Sequence, residues 1–123
     1  MTILLPLRKC IIESPYRATE NRSLEVHKAY LLHCLSDSLR RLETPYASHL
    51  LIPEILDDDD PLERGLGIRA GWAWAEHADL IAVYIDLGIS EGMRQSIAHY
   101  ELIGKPIERR TLDHRLVRSI LEM

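Results

Sequence analysis

The sequence has no phenylalanine and only two cysteines, Cys10 and Cys34, among its 123 residues. Two isolated cysteines cannot build a disulfide framework, and with no CxxC pair there is neither a thioredoxin-type redox motif nor a zinc ribbon. Cys10 lies in an apolar, strand-like stretch and Cys34 in a helical one, so both read as buried, reduced thiols. No apolar run approaches the ~20 residues of a membrane span, and no secretory leader follows Met1. The expectation is a cytoplasmic chain with no membrane partner. A basic excess is also lacking, since 15 Lys+Arg against 19 Asp+Glu leave a formal charge of -4. That balance offers no broad positive field to a long nucleic acid, although helix-start amides can still hold a nucleotide-sized anion. HExxH, EF-hand spacing and GxGxxG are absent, so neither a metal nor another cofactor is expected.

What is present is ordinary globular chemistry, 46% hydrophobic and 28% charged residues, on a length suited to one domain over residues 1–123. Lys9 to Glu13, with Cys10-Ile11-Ile12 at its heart, reads as a central strand that Ser14-Pro15-Tyr16-Arg17 breaks. Asn21 or Ser23 then caps a helix reaching Leu42, with Leu24, Leu31, Leu35, Leu39 and Leu42 as its apolar stripe. Pro45 ends the linker, and His49-Leu50-Leu51-Ile52 reads as a second strand closed by Pro53. The acidic run Asp57-Asp58-Asp59-Asp60 precedes Pro61, with Asp60 as the cap of a helix from Leu62 to about His77. Leu80 to Ile85 is the clearest strand and Asp86 terminates it. Ser90 caps a helix from Glu91 to about Ile103, which Gly104 ends. Pro106-Ile107 opens a fourth strand, and Thr111 or Asp113 starts a last helix burying Leu116, Val117, Ile120 and Leu121.

The order βαβαβαβα predicts an α/β fold: a three-layer, flavodoxin-like or Rossmann-like parallel sheet of about four strands. Ligands of such sheets bind beyond the carboxyl ends of the strands. Three polar segments meet that edge: 14–17, 53–60 and 86–93. Among them Asp86 and Glu91 are a carboxylate pair for nucleophilic or acid/base work, or else a strand terminator and a residue complementing a helix dipole. Tyr16 reads as a base- or sugar-binding aromatic or as a lid over the core. Arg17 is a phosphate ligand or a surface residue, and Asn21 a ligand contact or a cap. Ser14, Gly88, Ser90, Gly92, Met93 and Ser96 complete the expected substrate-binding set. Gly88 and Gly92 would let a ligand approach the backbone. The acidic run reads as a solvated loop more readily than as a cation site. His27, His49 and His99 read as packing or surface residues. Trp72 and Trp74 sit on different helical faces, one for the core and the other for a contact between copies, and a homo-oligomer, most simply a dimer, is expected.

Four segments carry a resemblance. They are Ile11-Ile12-Glu13-Ser14-Pro15-Tyr16-Arg17, then Asn21, then Asp57 to Gly71 with Trp74 and Asp79, and last Val83 through Met93 with Gly104-Lys105-Pro106. On these, from about residue 10 to 111, the chain resembles the nucleoside 2-deoxyribosyltransferase-like superfamily, in its small bacterial and phage branch. The resemblance implies a flavodoxin-like fold with strand order 2-1-3-4. It also implies cleavage of the N-glycosidic bond of 2-deoxynucleosides or their monophosphates. In those enzymes a glutamate attacks the anomeric carbon, an acid assists departure of the base, and a tyrosine near the first strand orients the nucleophile. Tyr16 matches the tyrosine and Asp86 the acid. The nucleophile's position, eight residues before the glycine of the GKP-like turn, is Ser96 here, and serine without a partner base is a poor nucleophile. Glu91 lies five residues earlier and replaces it only in a rearranged geometry. The expectation is therefore a nucleoside or nucleotide N-glycosidase or deoxyribosyltransferase-like enzyme with Asp86, Glu91 and Tyr16 as catalytic residues. Two alternatives stand beside it: a catalytically inactive nucleotide-binding or sequestering protein, and a structural or adaptor protein with an inherited cleft.

Overall fold

The computed structural model describes residues 6–123, so the expectation about a leader after Met1 falls largely outside it. Four parallel strands form one sheet in the order β2-β1-β3-β4. They are β1 (Arg8–Glu13), β2 (Glu43–Tyr46), β3 (Leu80–Tyr84) and β4 (Ile107–Arg110). The helices are α1 (Leu24–Arg40), α2 (Ile52–Ile55), α3 (Pro61–Ala75), α4 (Glu91–Leu102) and α5 (His114–Leu121). On one face Cys10, Ile12, Leu80, Ala82 and Tyr84 pack against Tyr30, Leu31 and Cys34 of α1 and Ile120 of α5. On the other, Ile11, Ile81 and Val83 pack against Ala75 of α3 and Met93, Ile97 and Tyr100 of α4. This is the three-layer arrangement expected of a βα repeat whose strands are apolar on both sides. Both cysteines are buried and free. Among the described residues no helix is long and apolar enough to cross a membrane.

The caps follow the sequence closely. Ser23 accepts a hydrogen bond from the Val26 amide (3.2 Å) at the start of α1. Asp60 accepts one from Leu62 (3.0 Å) ahead of Pro61, and Asp113 one from Arg115 (2.8 Å). Gly104, at φ 75°, closes α4 in the left-handed conformation that glycine adopts without a Cβ penalty.

Three expectations are corrected. The second strand is Glu43–Tyr46, not His49–Ile52. It is an edge strand, where a proline such as Pro45 is tolerated because not every N–H is needed for the ladder. Ser48–Leu50 instead forms a 3₁₀ turn leading into α2, whose first turn accommodates Pro53, and Leu50 and Leu51 stand exposed. A four-residue apolar run does not by itself separate strand from helix. Second, α1 buries Val26, His27, Tyr30, Leu31, Cys34 and Ser38, while Leu39 and Leu42 face solvent. The hydroxyls of Tyr30 and Ser38 bind Asp86 and Glu43, which rotates the helix away from its leucine stripe. Third, Leu121 is exposed and Ile120 carries the burial of α5.

One ion pair crosses the sheet. Arg110 of β4 donates through Nη1 and Nη2 to the two carboxylate oxygens of Glu43 in β2, at 2.8 and 2.6 Å, with both side chains almost fully buried. Ser38 also donates to Glu43 (2.8 Å), and Arg110 makes further bonds to Tyr84 (3.2 Å) and Glu108 (3.0 Å). Burial acts to raise the Glu43 carboxyl, but the hydrogen bonds and charge of Arg110, with Ser38, outweigh it and bring the pKa down to about 2. Its stabilising effect is present above the ordinary value of 4.5 and is lost as pH falls through about 2. Arg110→Ala, which strands a buried carboxylate, is expected to cost about 3–5 kcal/mol in urea denaturation, whereas the apolar double variant R110M/E43M recovers most of the loss. A loss below ~1 kcal/mol for Arg110→Ala would show that the pair is not structural.

Candidate functional site

The segments leaving β1, β2 and β3 at their carboxyl ends enclose a cavity of about 540 Å³, within the range of small-molecule sites. Two glycines of α3 let its outer wall close. A Cβ at Gly67 would lie 2.8 Å from Ile52, and one at Gly71 would lie 3.3 Å from Ser48, so the 48–56 segment lies directly on the helix.

The inner end of the cavity is polar and buried. Glu13, the last residue of β1, is buried, and its Oε2 accepts from the Tyr100 hydroxyl at 2.7 Å. Burial pushes the Glu13 carboxyl up to about 7, with the Tyr100 donor acting in the opposite direction. Beside it the Trp72 indole N–H donates to Ser96 Oγ (3.0 Å), and the Trp72 ring lies flat on His99, 4.1 Å between centroids.

The outer walls are aromatic and basic. Tyr16 stacks on His49 at 4.8 Å. Burial, with the charge of Arg64 acting the same way and Asp58 opposing, brings His49 down to about 4, so its ring is neutral at physiological pH. His27 is held between two partners. Arg22 donates to its Nε2 (3.1 Å), so its Nδ1 carries the proton and donates to the Tyr16 carbonyl (3.0 Å). Arg22 also donates to the Leu87 carbonyl (2.8 Å), joining the start of α1 to the loop after β3. Arg17 pairs with Asp58 and Asp59, and Arg64 with Asp58. Arg64 lies over the first turn of α4, where a Cβ on Gly92 would stand 3.4 Å from its guanidinium. The Ser90 hydroxyl accepts from the Met93 amide there (3.3 Å).

Of the residues singled out in the sequence, Tyr16, Arg17, Gly88, Ser90, Glu91, Gly92, Met93 and Ser96 all line this cavity. Ser14, Asn21 and Asp86 do not. Asp86 lies toward α1 and α5, where it accepts from the Tyr30 hydroxyl (2.7 Å) and the Leu112 amide (3.1 Å). Asn21 is exposed, and the buried Ser14 hydroxyl has no hydrogen-bond partner among the described residues. The Glu91 carboxylate lies at the surface, paired with Arg94 at 2.8 Å. Among the described residues no three His, Cys, Asp or Glu side chains converge as metal ligands; Asp58 and Asp59 are engaged by arginines. Sequence reasoning missed Glu13, Arg22, Arg64, Trp72 and Tyr100. Glu13 carried a usable signal, since it follows Ile11 at a spacing of two and so shares its buried face.

Because the folded state holds the Glu13 proton more tightly than the unfolded chain, stability is greatest below pH 4.5 and falls as pH rises through about 7. The difference is on the order of 3 kcal/mol. Glu13→Gln is therefore expected to match the parent at pH 4 and to exceed it at pH 8 in urea denaturation. Equal stabilities at both values would mean that the carboxyl is not strained by burial.

Comparisons with curated proteins and with solved structures give no match. Residues 8–110 match the family model described as Domain of unknown function (DUF7768), and over that span, most of its length, the chain belongs to this family.

Proposed function

We propose that the cavity binds a nucleoside or nucleotide and that the protein acts on its N-glycosidic bond, as the resemblance to the nucleoside 2-deoxyribosyltransferase-like superfamily implies. The observation that carries this reading is the buried Glu13 carboxylate at the inner end of a nucleoside-sized cavity. Cleavage at an anomeric carbon needs a carboxyl group near the sugar, and Glu13 supplies one where the sequence pattern leaves Ser96. The flat surfaces of Trp72 and of Tyr16 on His49 suit a base, and the α4 start with Arg64 beside it suits an anionic or hydroxyl-rich end.

A second reading, binding without turnover, is favoured by Ser96 itself: its Oγ accepts from the Trp72 indole, and no His, Asp or Glu is hydrogen-bonded to it among the described residues. Incubation with a panel of 2-deoxynucleosides and their 5′-monophosphates, followed by chromatography, separates the two. Free base is the expected result. Nucleotide bound in calorimetry but recovered intact selects the second reading, and neither binding nor release removes both. The homo-oligomer expected from the sequence belongs to the same proposal, and light scattering at micromolar concentration is expected to give a multiple of the 14.2 kDa chain mass. A mass of one chain would remove it.

A further inference from the structure

We propose that Glu13 is the general base of the cavity, and that Trp72, Ser96 and Tyr100 form a one-way series of hydrogen-bond donors that dedicates one of its two oxygens to proton exchange. The inference rests on the reading of the cavity as an N-glycoside site and adds to it the reacting group and the use of water as acceptor.

The series begins at a group that can only donate. The Trp72 indole has an N–H and no acceptor, so it occupies a lone pair of Ser96 Oγ and leaves the serine proton to point elsewhere. Ser96 lies one helical turn before Tyr100 on α4 and favours the ionised form of its phenol; in the proposed series the serine proton is directed to the Tyr100 oxygen. Burial and the adjacent Glu13 charge act more strongly the other way and push the phenol well above its ordinary value, so Tyr100 keeps its proton throughout the neutral range. That proton is directed at Glu13 Oε2 over 2.7 Å.

Protonating Oε2 would weaken it as the acceptor that the Tyr100 hydroxyl uses. The exchangeable proton of Glu13 therefore belongs on Oε1, the oxygen that Tyr100 does not engage. Glu13 lines the cavity, and burial places its pKa at about 7, where a general base works best near neutral pH. Neither Asp86 nor Glu91 offers the same arrangement. Asp86 is satisfied on the other side of the sheet, and Glu91 is exposed and paired with Arg94.

In the step this implies, ionised Glu13 takes a proton from a water molecule as the water oxygen bonds to C1′ of the sugar. The C1′–N bond breaks, its electron pair leaves with the base, and the base nitrogen takes a proton from solvent. Glu13 then returns its proton to solvent. One water is consumed, and free base and the 2-deoxy sugar, or its 5′-phosphate, are formed. The reaction is hydrolysis; Glu13 forms no covalent bond to the sugar.

The test combines titration with kinetics on the full chain. With glutamate labelled at the carboxyl carbon, one NMR resonance absent from Glu13→Gln is expected to titrate near pH 7 and to move upward by about one pH unit in Tyr100→Phe, which loses the donor but keeps the ring. The pH–rate profile is expected to rise through the same value and to shift with it. Glu13→Gln should lower the rate of base release at least a hundredfold while nucleotide affinity in calorimetry stays within a few-fold. Ser96→Ala should shift the titration in the same direction as Tyr100→Phe, by less. A Glu13 titration near 4.5, no shift in Tyr100→Phe, sustained turnover in Glu13→Gln, or a sugar adduct on Glu13 in intact-protein mass spectrometry would overturn the proposal. If the unaltered protein releases no base from any substrate, the glycosidic reading falls and the base role with it, while the titrations still decide whether the donor series acts on Glu13.

Discussion

The pair formed by Arg110 and Glu43 is the constraint on which the sheet depends. Its partners belong to the two edge strands, so a single guanidinium reaches across the α1 face and joins β4 to β2. Isolated charges are very costly to bury, and the pair persists because both carboxylate oxygens and much of the guanidinium are hydrogen-bonded. Tyr84 links the same cluster to Asp37 of α1 at 2.6 Å, so helix and sheet are fixed in one register. That polar register is why α1 turns Tyr30 and Ser38 inward and leaves Leu39 outside. The helix gives up some apolar burial to avoid leaving several buried polar groups unpaired, and the latter cost is the larger one.

The two buried glutamates show how strongly surroundings decide the behaviour of identical side chains. Glu43 has an arginine, a serine and nearly full burial, and is ionised down to about pH 2. Glu13, on the opposite face, has comparable burial but one neutral donor, and ionises only near 7. The first carboxylate is a fixed structural charge. The second changes its protonation state within the working range of a cell, and it does so facing a cavity. Pairs of carboxylates pushed apart in this way separate structural groups from reactive ones more reliably than their positions in sequence.

Much of the fold was legible in the sequence because its signals are local. Ser23, Asp60, Ser90 and Asp113 cap as their side chains allow, Gly104 stops α4, and the apolar runs at 10–12 and 80–84 have no other place than the centre of a sheet. β2 was not legible because an edge strand of four residues containing Pro45 has little apolar content of its own, whereas His49 to Ile52 has more. The cavity's location followed from the strand order, and eight of the residues expected there line it. Its chemistry did not follow, because the partner of Glu13 comes from α4 and the Trp72–Ser96 pair beside Tyr100 from α3 and α4, all far along the chain. No spacing rule connects Glu13 to Tyr100 or Trp72 to Ser96; only the packing of two helices on one sheet face does.

Parity along the strands explains why Glu13 rather than Asp86 meets the cavity. In a strand, alternate side chains point to opposite faces. Val83 is in register with Glu13, and both lie on the face covered by α3 and α4. Tyr84 belongs to the other face, and Asp86, two residues further, continues in its direction toward Tyr30 and Leu112. A carboxylate at a strand's carboxyl end is thus assigned to one side of the sheet by a one-residue difference in phase. Glu13 has the phase that brings it beneath Tyr100, in the same polar cluster as Ser96. The buried carboxyl group of the cavity therefore comes from the sheet, while that of helix α4, Glu91, lies at the surface paired with Arg94, and the donor to Glu13 is Tyr100, one turn beyond Ser96.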